Sequence, residues 1–351
     1  MDRLSHIPQE KAAKEPLEDL RRRALASLKL RARDKDKLVW LLTAAGLFIL
    51  PLILGDGYYL TVLNFIAFYS MVALGLCLLL GYGGQLSISH AAFYAIGAYT
   101  SSIFCLRYGL HPLVSIVLSQ CITTLTAWGI GAVVLRLKGH YLAIATLSFS
   151  IIVEVLIREI AWLTGGLQGL SSIPAISLGG FFIDSDWRFY FLVWSVTMLL
   201  LLFALNLVNS RMGRIFRAIR EAEDIAGLFG ADVKKYKVKL FIVASIYASL
   251  AGSLYAHYAT FISPDAASIM FAIEIILVIS IGGYTMLWGA MVGVAAITYL
   301  NEYLADFAEF KRTIYGLALV VIMLAFPNGL LQGLKDSAKV LFQSVRKGAQ
   351  R

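Results

Sequence analysis

Residues 58–80 read YYLTVLNFIAFYSMVALGLCLLL and carry no charged side chain. A run of this kind is typical of a helix that crosses the hydrocarbon core of a bilayer, which takes about 20 residues. Comparable apolar segments lie at 38–55, 91–108, 112–135, 141–164, 188–209, 239–262, 268–283, 286–304 and 313–330. The sequence therefore predicts an all-α fold, a polytopic transmembrane helix bundle of about ten crossing segments.

The overall composition agrees with this interpretation. Of the 351 residues, 59% are apolar and only 15% are charged, and the mean hydropathy is +0.75. Soluble domains are about 45–50% apolar and about 25% charged, so this chain holds more apolar surface than a soluble fold of its length can bury. These values exclude soluble enzymes and disordered chains.

The net charge of +9 is concentrated at the ends of apolar segments. Residues 1–38 carry 11 basic and 7 acidic groups, residues 210–239 carry 8 and 4, and residues 335–351 carry 5 and 1. Positive charge flanking the spans marks the cytosolic side, so we interpret it as topology and not as a nucleic-acid site. We expect a polar cytosolic leader (1–37), a membrane domain (38–334) with a cytosolic loop (210–238) and a cytosolic basic tail (335–351). The leader fits either an amphipathic helix on anionic lipid or a solvated tail.

Two glycine-rich breaks interrupt the apolar pattern, GYGGQLSISH at 81–90 and IGGYT at 281–285. Irregular backbone cannot face lipid, so such breaks are buried in protein, line a watery path, or form short turns at the interface. Segments 268–304 fit two tilted short helices or one long broken helix. For a translocation path we expect contributions from Tyr82, Gln85, Ser87, Ser89, Gly282 and Gly283.

The segment GRIFRAIREAEDIAGLFG, ending at Gly230, predicts one short amphipathic helix over 214–230. Ile219, Ala222, Ala226 and Phe229 share its apolar stripe, and Gly230 ends it. A groove in a soluble partner is one candidate to cover this stripe. The chain's own bundle or the bilayer is the other.

Several motifs together resemble the permease subunits of branched-chain amino acid ABC importers, the LivM/LivH-type family, and the LivM type more than the LivH type. They are GYGGQLSISHAAFYAIGAYT (81–100), YLAIATLSFS (141–150), LTGGLQGLSSIP (163–174), GRIFRAIREAEDIAGLFGADVKKYKVKLFIVAS (213–245) and FPNGLLQGL (326–334). The resemblance implies a permease of the bacterial inner membrane that imports branched-chain amino acids by alternating access. Relatives of this type also carry urea or short amides.

The same resemblance implies the partners and one site. The partners are two cytosolic ATPase subunits that bind ATP, a second homologous permease and an extracytoplasmic substrate-binding protein. The 213–230 segment corresponds to the loop that couples the permease to its ATPase. In this sequence that role falls to Glu221, Glu223, Asp224, Ala226, Gly227 and Gly230.

The residues themselves contain no GxxxxGK[ST] motif, no catalytic constellation and no metal-ligand spacing. We therefore expect a transport subunit without enzymatic activity, with no cofactor or metal of its own, in contact with membrane lipid. Charges within the spans favour a competing class, an ion-coupled secondary transporter that uses Glu154, Arg158 and Glu274. Glu154 and Arg158 also fit a local ion pair at i, i+4, whereas Glu274 has no partner nearby in the sequence.

Overall fold

The computed structural model describes residues 39–52, 55, 57–178, 181–303 and seven positions between 313 and 324. The described residues are predominantly helical, which confirms the all-α class. The predictions for the leader 1–37 and the tail 335–351 lie outside the described residues.

A helix lies in every predicted apolar segment up to residue 304, and the seven positions between 313 and 324 are helical as well. The helices are α1 (Val39–Leu52), α2 (Tyr58–Leu76), α3 (His90–Tyr108), α4 (Pro112–Val134), α5 (His140–Glu159), α6 (Ala161–Thr164), α7 (Asp186–Asn209), α8 (Arg211–Glu221), α9 (Glu223–Leu228), α10 (Val233–Ala259), α11 (Ile269–Gly282) and α12 (Leu287–Tyr303).

Five helices in the described part of the chain are long and apolar enough to cross a membrane. They are α2 with the π-helical turn that extends it to Tyr82, and α4, α5, α7 and α10. The apolar helices α1 and α11 are shorter. The count of ten crossings therefore stays a prediction.

The chain divides into two units at residues 53 and 54. Within the first unit, α1 is an apolar helix in which the Thr43 hydroxyl donates to the Val39 carbonyl (2.8 Å). The second unit holds all the other elements.

Helix α10 is the centre of the second unit and packs against α2, α3 and α4. Small residues let the backbones approach closely, as in membrane helix pairs generally. A Cβ at Gly97 would collide with Ser249, and one at Gly252 would collide with the Tyr94 backbone. Between α4 and α10, Thr123 donates to the Ser249 hydroxyl at 2.8 Å. This packing forms a rigid core of α3, α4 and α10.

Helices α11 and α12 form an antiparallel hairpin. Gly282 lies so close to Gly289 that either Cβ would meet the other backbone, and Gly293 lies against the Val278 carbonyl. The turn begins at Gly283, whose φ of +92° favours glycine. Of the two alternatives for 268–304, two short helices are therefore confirmed, and the single broken helix is wrong.

Two small antiparallel ladders, which the sequence analysis did not predict, lie at one end of the bundle. β1 (Leu170–Ser171) pairs with β4 (Phe261–Ile262), and β2 (Ile176–Leu178) pairs with β3 (Phe181–Ile183). Helix α7 starts just after β3, and α10 leads into β4, whereas α8 and α9 connect the other ends of α7 and α10. We call these two ends the strand end and the α8–α9 end.

Candidate coupling and translocation site

Residues 210–232 leave α7, fold into α8 and α9, and enter α10. The Ser210 side chain begins α8 by accepting from the Gly213 amide (3.3 Å), and Phe216 and Ile219 bury one face. Ala222 is extended (φ −156°, ψ 93°) and ends α8, so the prediction of one helix over 214–230 is wrong. After this turn, the acidic side chains of Glu223 and Asp224 lie beside lysines of the same chain.

These acidic side chains hold α9 at two points. Glu223 Oε2 lies 2.6 Å from Lys237 Nζ on α10, and the Lys237 side chain is only 7% exposed. Asp224 Oδ1 lies 3.1 Å from Lys138 Nζ, in the turn between α4 and α5, and both side chains are well exposed. The hydrogen bond to Asp224 raises the pKa of Lys138 above its ordinary value. The buried pair therefore fixes α9 to α10, and the exposed pair adds a weaker tie.

The other face of this element is apolar and open. Leu228 and Phe229 are each 88% exposed, and Ile225 is 55% exposed. Beside them lies a groove of about 610 Å³. It is lined by Ile215, Ala218, Glu221, Ala222, Ile225, Ala226, Phe229, Gly230, Ala231 and Tyr236. Exposed apolar surface of this kind, rimmed by polar groups, marks an interaction site.

The six residues expected to couple have different positions in this element. Glu221, Ala226 and Gly230 line the groove, whereas Glu223 and Asp224 bind lysines of their own chain. Gly227 is exposed beside them. Leu228 and Phe229 were not among the residues expected to couple, although the sequence pattern places Phe229 on the apolar stripe and Leu228 beside it. Leu228 and Phe229 are exposed in the element that follows the turn at Ala222. The helical periodicity of the sequence does not predict this turn.

Arg220 joins α8 to the first glycine-rich break. Its Nη1 donates to the Gly81 carbonyl. A Cβ at Gly84 would lie 2.9 Å from Arg220 Cγ, and Gly84 has a φ of +64°, so this position favours glycine for two reasons. Helix α8 and the first glycine-rich break are therefore in direct contact.

The first break is a π-helical turn, Cys77–Tyr82, followed by a non-helical segment, 83–89. Gln85, Ser87 and Ser89 are buried. Ser87 Oγ and Ser89 Oγ lie 2.8 Å apart, and Gln85 Oε1 has no hydrogen-bond partner among the described residues. Three of the expected path residues thus form a buried polar strip.

Helix α5 holds this segment in place. The Ile88 amide donates to Thr146 Oγ1 (3.1 Å), and the Ile88 carbonyl accepts from Ser150 Oγ (3.1 Å). These side chains bind backbone groups that have no helical hydrogen bond here, as a buried non-helical segment requires.

The two glycine-rich breaks meet each other. Tyr82 donates its hydroxyl to the Thr285 carbonyl (2.7 Å), and Cys77 Sγ donates to the Tyr284 carbonyl (3.1 Å). A Cβ at Gly81 would collide with that same carbonyl. Sequences some 200 residues apart therefore meet at Tyr82, Tyr284 and Thr285. Of the other expected path residues, Gly282 packs against Gly289, and Gly283 begins the turn that leads to Tyr284.

The three intramembrane charges considered for ion coupling, Glu154, Arg158 and Glu274, each have a partner. Arg158 Nη2 lies 2.8 Å from Glu154 Oε1, the i, i+4 pair that the spacing indicated, and 3.6 Å from Asp265 Oδ1. Glu274 accepts a hydrogen bond from the Asn301 amide across the α11–α12 hairpin. In the part of the chain that the structure describes, no three His, Cys, Asp or Glu side chains cluster as a metal site requires.

Comparison with known proteins places these features in a family. The model of the family described as branched-chain amino acid transport system / permease component matches residues 58–326. The chain belongs to this family. The matched range contains both glycine-rich breaks, α8 and α9.

Named relatives of this permease include two LivM proteins and a LivH protein. The high-affinity branched-chain amino acid transport system permease proteins LivM of Salmonella typhimurium and of Escherichia coli are 29% and 28% identical to it, and each match covers 80% of this chain and 72% of the relative. The LivH protein of Salmonella typhimurium is 24% identical over 75% of this chain and 91% of its own. The higher identity to LivM confirms the resemblance to that type. No solved structure matches this chain.

Family membership and the spanning helices make this chain a multi-pass membrane permease. Its strand end holds a polar cluster that the sequence analysis missed. Asp186 accepts from the hydroxyls of Tyr258 (2.8 Å) and Thr61 (2.9 Å), and its carbonyl accepts from Asn64 (3.2 Å). A cavity of about 320 Å³ adjoins Asp186 and Asp184. These residues lie far apart in the sequence, and no local pattern connects them.

Proposed function

We propose that this chain is the permease subunit of an ATP-driven importer for branched-chain amino acids in the bacterial inner membrane. A second homologous permease completes the path, two cytosolic ATPase subunits supply the energy from ATP, and an extracytoplasmic binding protein delivers the cargo. The observation that carries this proposal is the uncovered apolar face of α9 beside the groove. Leu228 and Phe229 supply large apolar contacts for a soluble partner.

The proposed topology has ten crossing segments, two glycine-rich breaks and both termini in the cytosol. The domain limits remain 1–37, 38–334 and 335–351, with the coupling loop at 210–238. Eight basic groups in 210–239 support a cytosolic loop, since basic residues favour that side. The polar cluster around Asp186 then faces outward, where cargo arrives.

In the proposed mechanism of alternating access, closure of the ATPase subunits displaces α8 and α9. Two contacts transmit this movement inward. Arg220 carries it to the Gly81 carbonyl, and Tyr82 carries it to Thr285 in the α11–α12 turn. Rigid-body motion of packed helices is the ordinary result of such a displacement.

For the path itself we propose Tyr82, Gln85, Ser87, Ser89, Gly282 and Gly283. Support comes from the buried polar strip and from Gln85 Oε1, since a buried acceptor without a partner costs about 1–3 kcal/mol. A polar solute or water in the path would supply the missing hydrogen bond. The partners of Glu154, Arg158 and Glu274 favour structural roles for these charges over ion coupling.

The test is the double variant Leu228→Asp, Phe229→Asp in the full complex. We expect at least about a tenfold loss of ATPase co-purification and of ATP-dependent leucine uptake, because hot-spot contacts of this type dominate binding. Leu167→Asp is the matched control: Leu167 is 74% exposed, lies outside α8 and α9, and precedes β1. Unchanged co-purification in the double variant would overturn the proposal.

A second measurement addresses the energy source and the cargo. Vesicles with this chain alone should accumulate no solute on a proton or sodium gradient, and uptake that needs no nucleotide would restore the secondary-transporter class. Titration of the binding protein with leucine, isoleucine, valine, urea and short amides then assigns the cargo.

A further inference from the structure

A second groove lies between α4 and the first turns of α10. Its volume is about 610 Å³, and it is lined by Trp128, Ala132, Asp232, Lys234, Lys235, Val238, Lys239 and Ile242. It shares no lining residue with the groove at α8 and α9, and none of its residues is among those proposed to contact the ATPase or to line the path.

The groove combines an apolar wall with a basic rim. The two helices run antiparallel, with Gly131 against the Phe241 ring. Along the length of these helices, Trp128 and Ile242 therefore lie closer to the middle, and Lys234 and Lys235 lie at the end. Trp128 is 61% exposed, and most of α4 is uncovered, as expected for a helix that faces lipid. The apolar residues lie toward the middle of the helices and the lysine ammonium groups lie at their end. This order matches one leaflet of a bilayer, in which acyl chains lie inside and headgroups lie at the surface.

The rim has an excess of positive charge. The rim has three lysines and one carboxylate, that of Asp232. Asp232 Oδ2 pairs with Lys235 Nζ at 2.9 Å. Hydrogen bonds from Lys235 lower the pKa of Asp232, so this carboxylate is ionised at neutral pH. Lys239 Nζ lies 5.7 Å from the centre of the Tyr236 ring. Lys234 and Lys239 thus remain to neutralise an anion at the level of the headgroups.

We propose that this groove binds an anionic phospholipid. Its phosphate lies between Lys234 and Lys239, and one acyl chain lies along Trp128, Val238 and Ile242. Basic pockets at membrane helices favour anionic headgroups, and a free phosphate would leave the apolar wall uncovered. The inference requires only that the chain spans a membrane and does not depend on ATP coupling.

The first experiment measures lipid retention. The purified full chain is reconstituted in phosphatidylglycerol and phosphatidylcholine, extracted, and analysed by native mass spectrometry. We expect wild type to retain phosphatidylglycerol, and the variant Lys234→Gln, Lys235→Gln, Lys239→Gln to retain about tenfold less. The matched control is Arg211→Gln, Arg214→Gln, Arg217→Gln, which removes the same charge from α8 at the same end. Equal retention of both lipids by wild type, or an equal loss in the control, would overturn the proposal.

The second experiment locates the acyl chain. Brominated phosphatidylglycerol should quench Trp128 fluorescence, measured as the difference between wild type and Trp128→Phe, and inorganic phosphate should not reverse the quenching. Reversal by phosphate would indicate an anion site without lipid. Crosslinking that places another protein subunit over Trp128 in the assembled complex would indicate a protein interface. Either result contradicts the proposal.

Discussion

The α8–α9 element and the first glycine-rich break, which meet at Arg220, expose opposite kinds of side chain. The α8–α9 element exposes Leu228 and Phe229 almost completely, whereas residues 83–89 bury Gln85, Ser87 and Ser89. Covering exposed apolar groups with another molecule lowers the free energy, because the groups are removed from water. Buried polar groups need hydrogen bonds within the protein to offset the loss of water. Under the proposed function, the first segment therefore contacts a partner outside the bundle, and the second makes its contacts within the bundle.

The largest expected effect concerns the buried segment. Gly81→Ala should lower the free energy of unfolding by about 3 kcal/mol, because its Cβ would collide with the Tyr284 carbonyl and backbone cannot yield cheaply. Thermal unfolding in detergent measures the change. Gly129→Ala is the control, since a Cβ there meets nothing within 4 Å. Equal stability of the two variants would show that the breaks do not touch.

The next effect concerns the contact between the two segments. Arg220→Ala should lower leucine uptake per ATP hydrolysed about tenfold, while ATPase co-purification persists, because in the proposed mechanism the contact between Arg220 and Gly81 transmits movement and does not bind the partner. Arg220→Lys should recover part of the uptake, and Arg217→Ala serves as the control on the same helix. An unchanged ratio of leucine uptake to ATP hydrolysis in Arg220→Ala would show that the contact between Arg220 and Gly81 is not needed for transport.

A smaller effect is expected at the buried tie of α9. Glu223→Gln should cost about 1 kcal/mol of unfolding free energy, less than the 1.5–3 kcal/mol of a fully buried charged hydrogen bond, because Glu223 keeps 29% exposure. Thermal unfolding of wild type, Glu223→Gln, Lys237→Met and the double variant gives the interaction energy. A value near zero would show that Lys237 does not hold α9.

The smallest effect is expected at the exposed tie. Asp224→Asn should barely change stability, since both partners are solvated. The pKa of Lys138 is raised, so its contribution is present below its unfolded pKa and is lost as pH rises through the folded value. Thermal unfolding from neutral to alkaline pH should therefore show a slightly steeper loss in wild type than in Asp224→Asn. A loss as large as that of Glu223→Gln would contradict the ranking.

The sequence predicted the helices well because an apolar run that must lie in lipid has few alternatives to a helix. It predicted the ends less well: α5 ends at Glu159 although the apolar pattern continues to residue 164, and α10 begins at Val233 although its first turns carry lysines. A cap at Asp232 and a turn at Ile160 decide these ends.

The candidate site was predicted only in part, because its geometry depends on contacts between distant residues. The contact of Tyr82 with Thr285, the partner of Glu274 and the cluster around Asp186 each join residues from different helices. Periodicity describes one helix at a time. For the same reason the amphipathic character of 214–230 was recognised, but the turn at Ala222 was not.

Helix α10 has a mechanical consequence for the whole bundle. It continues for 27 residues, about 40 Å, without a proline, and begins three residues after Gly230. Near the C-terminal end of α10, the Tyr258 hydroxyl donates to Asp186. Thr260, the residue that directly follows the helix, has a positive φ (+54°). The interior of α10 packs against α3 and α4. Under the proposed function, a displacement of α9 would therefore move α10 as one body, with bending only at the two ends of the helix.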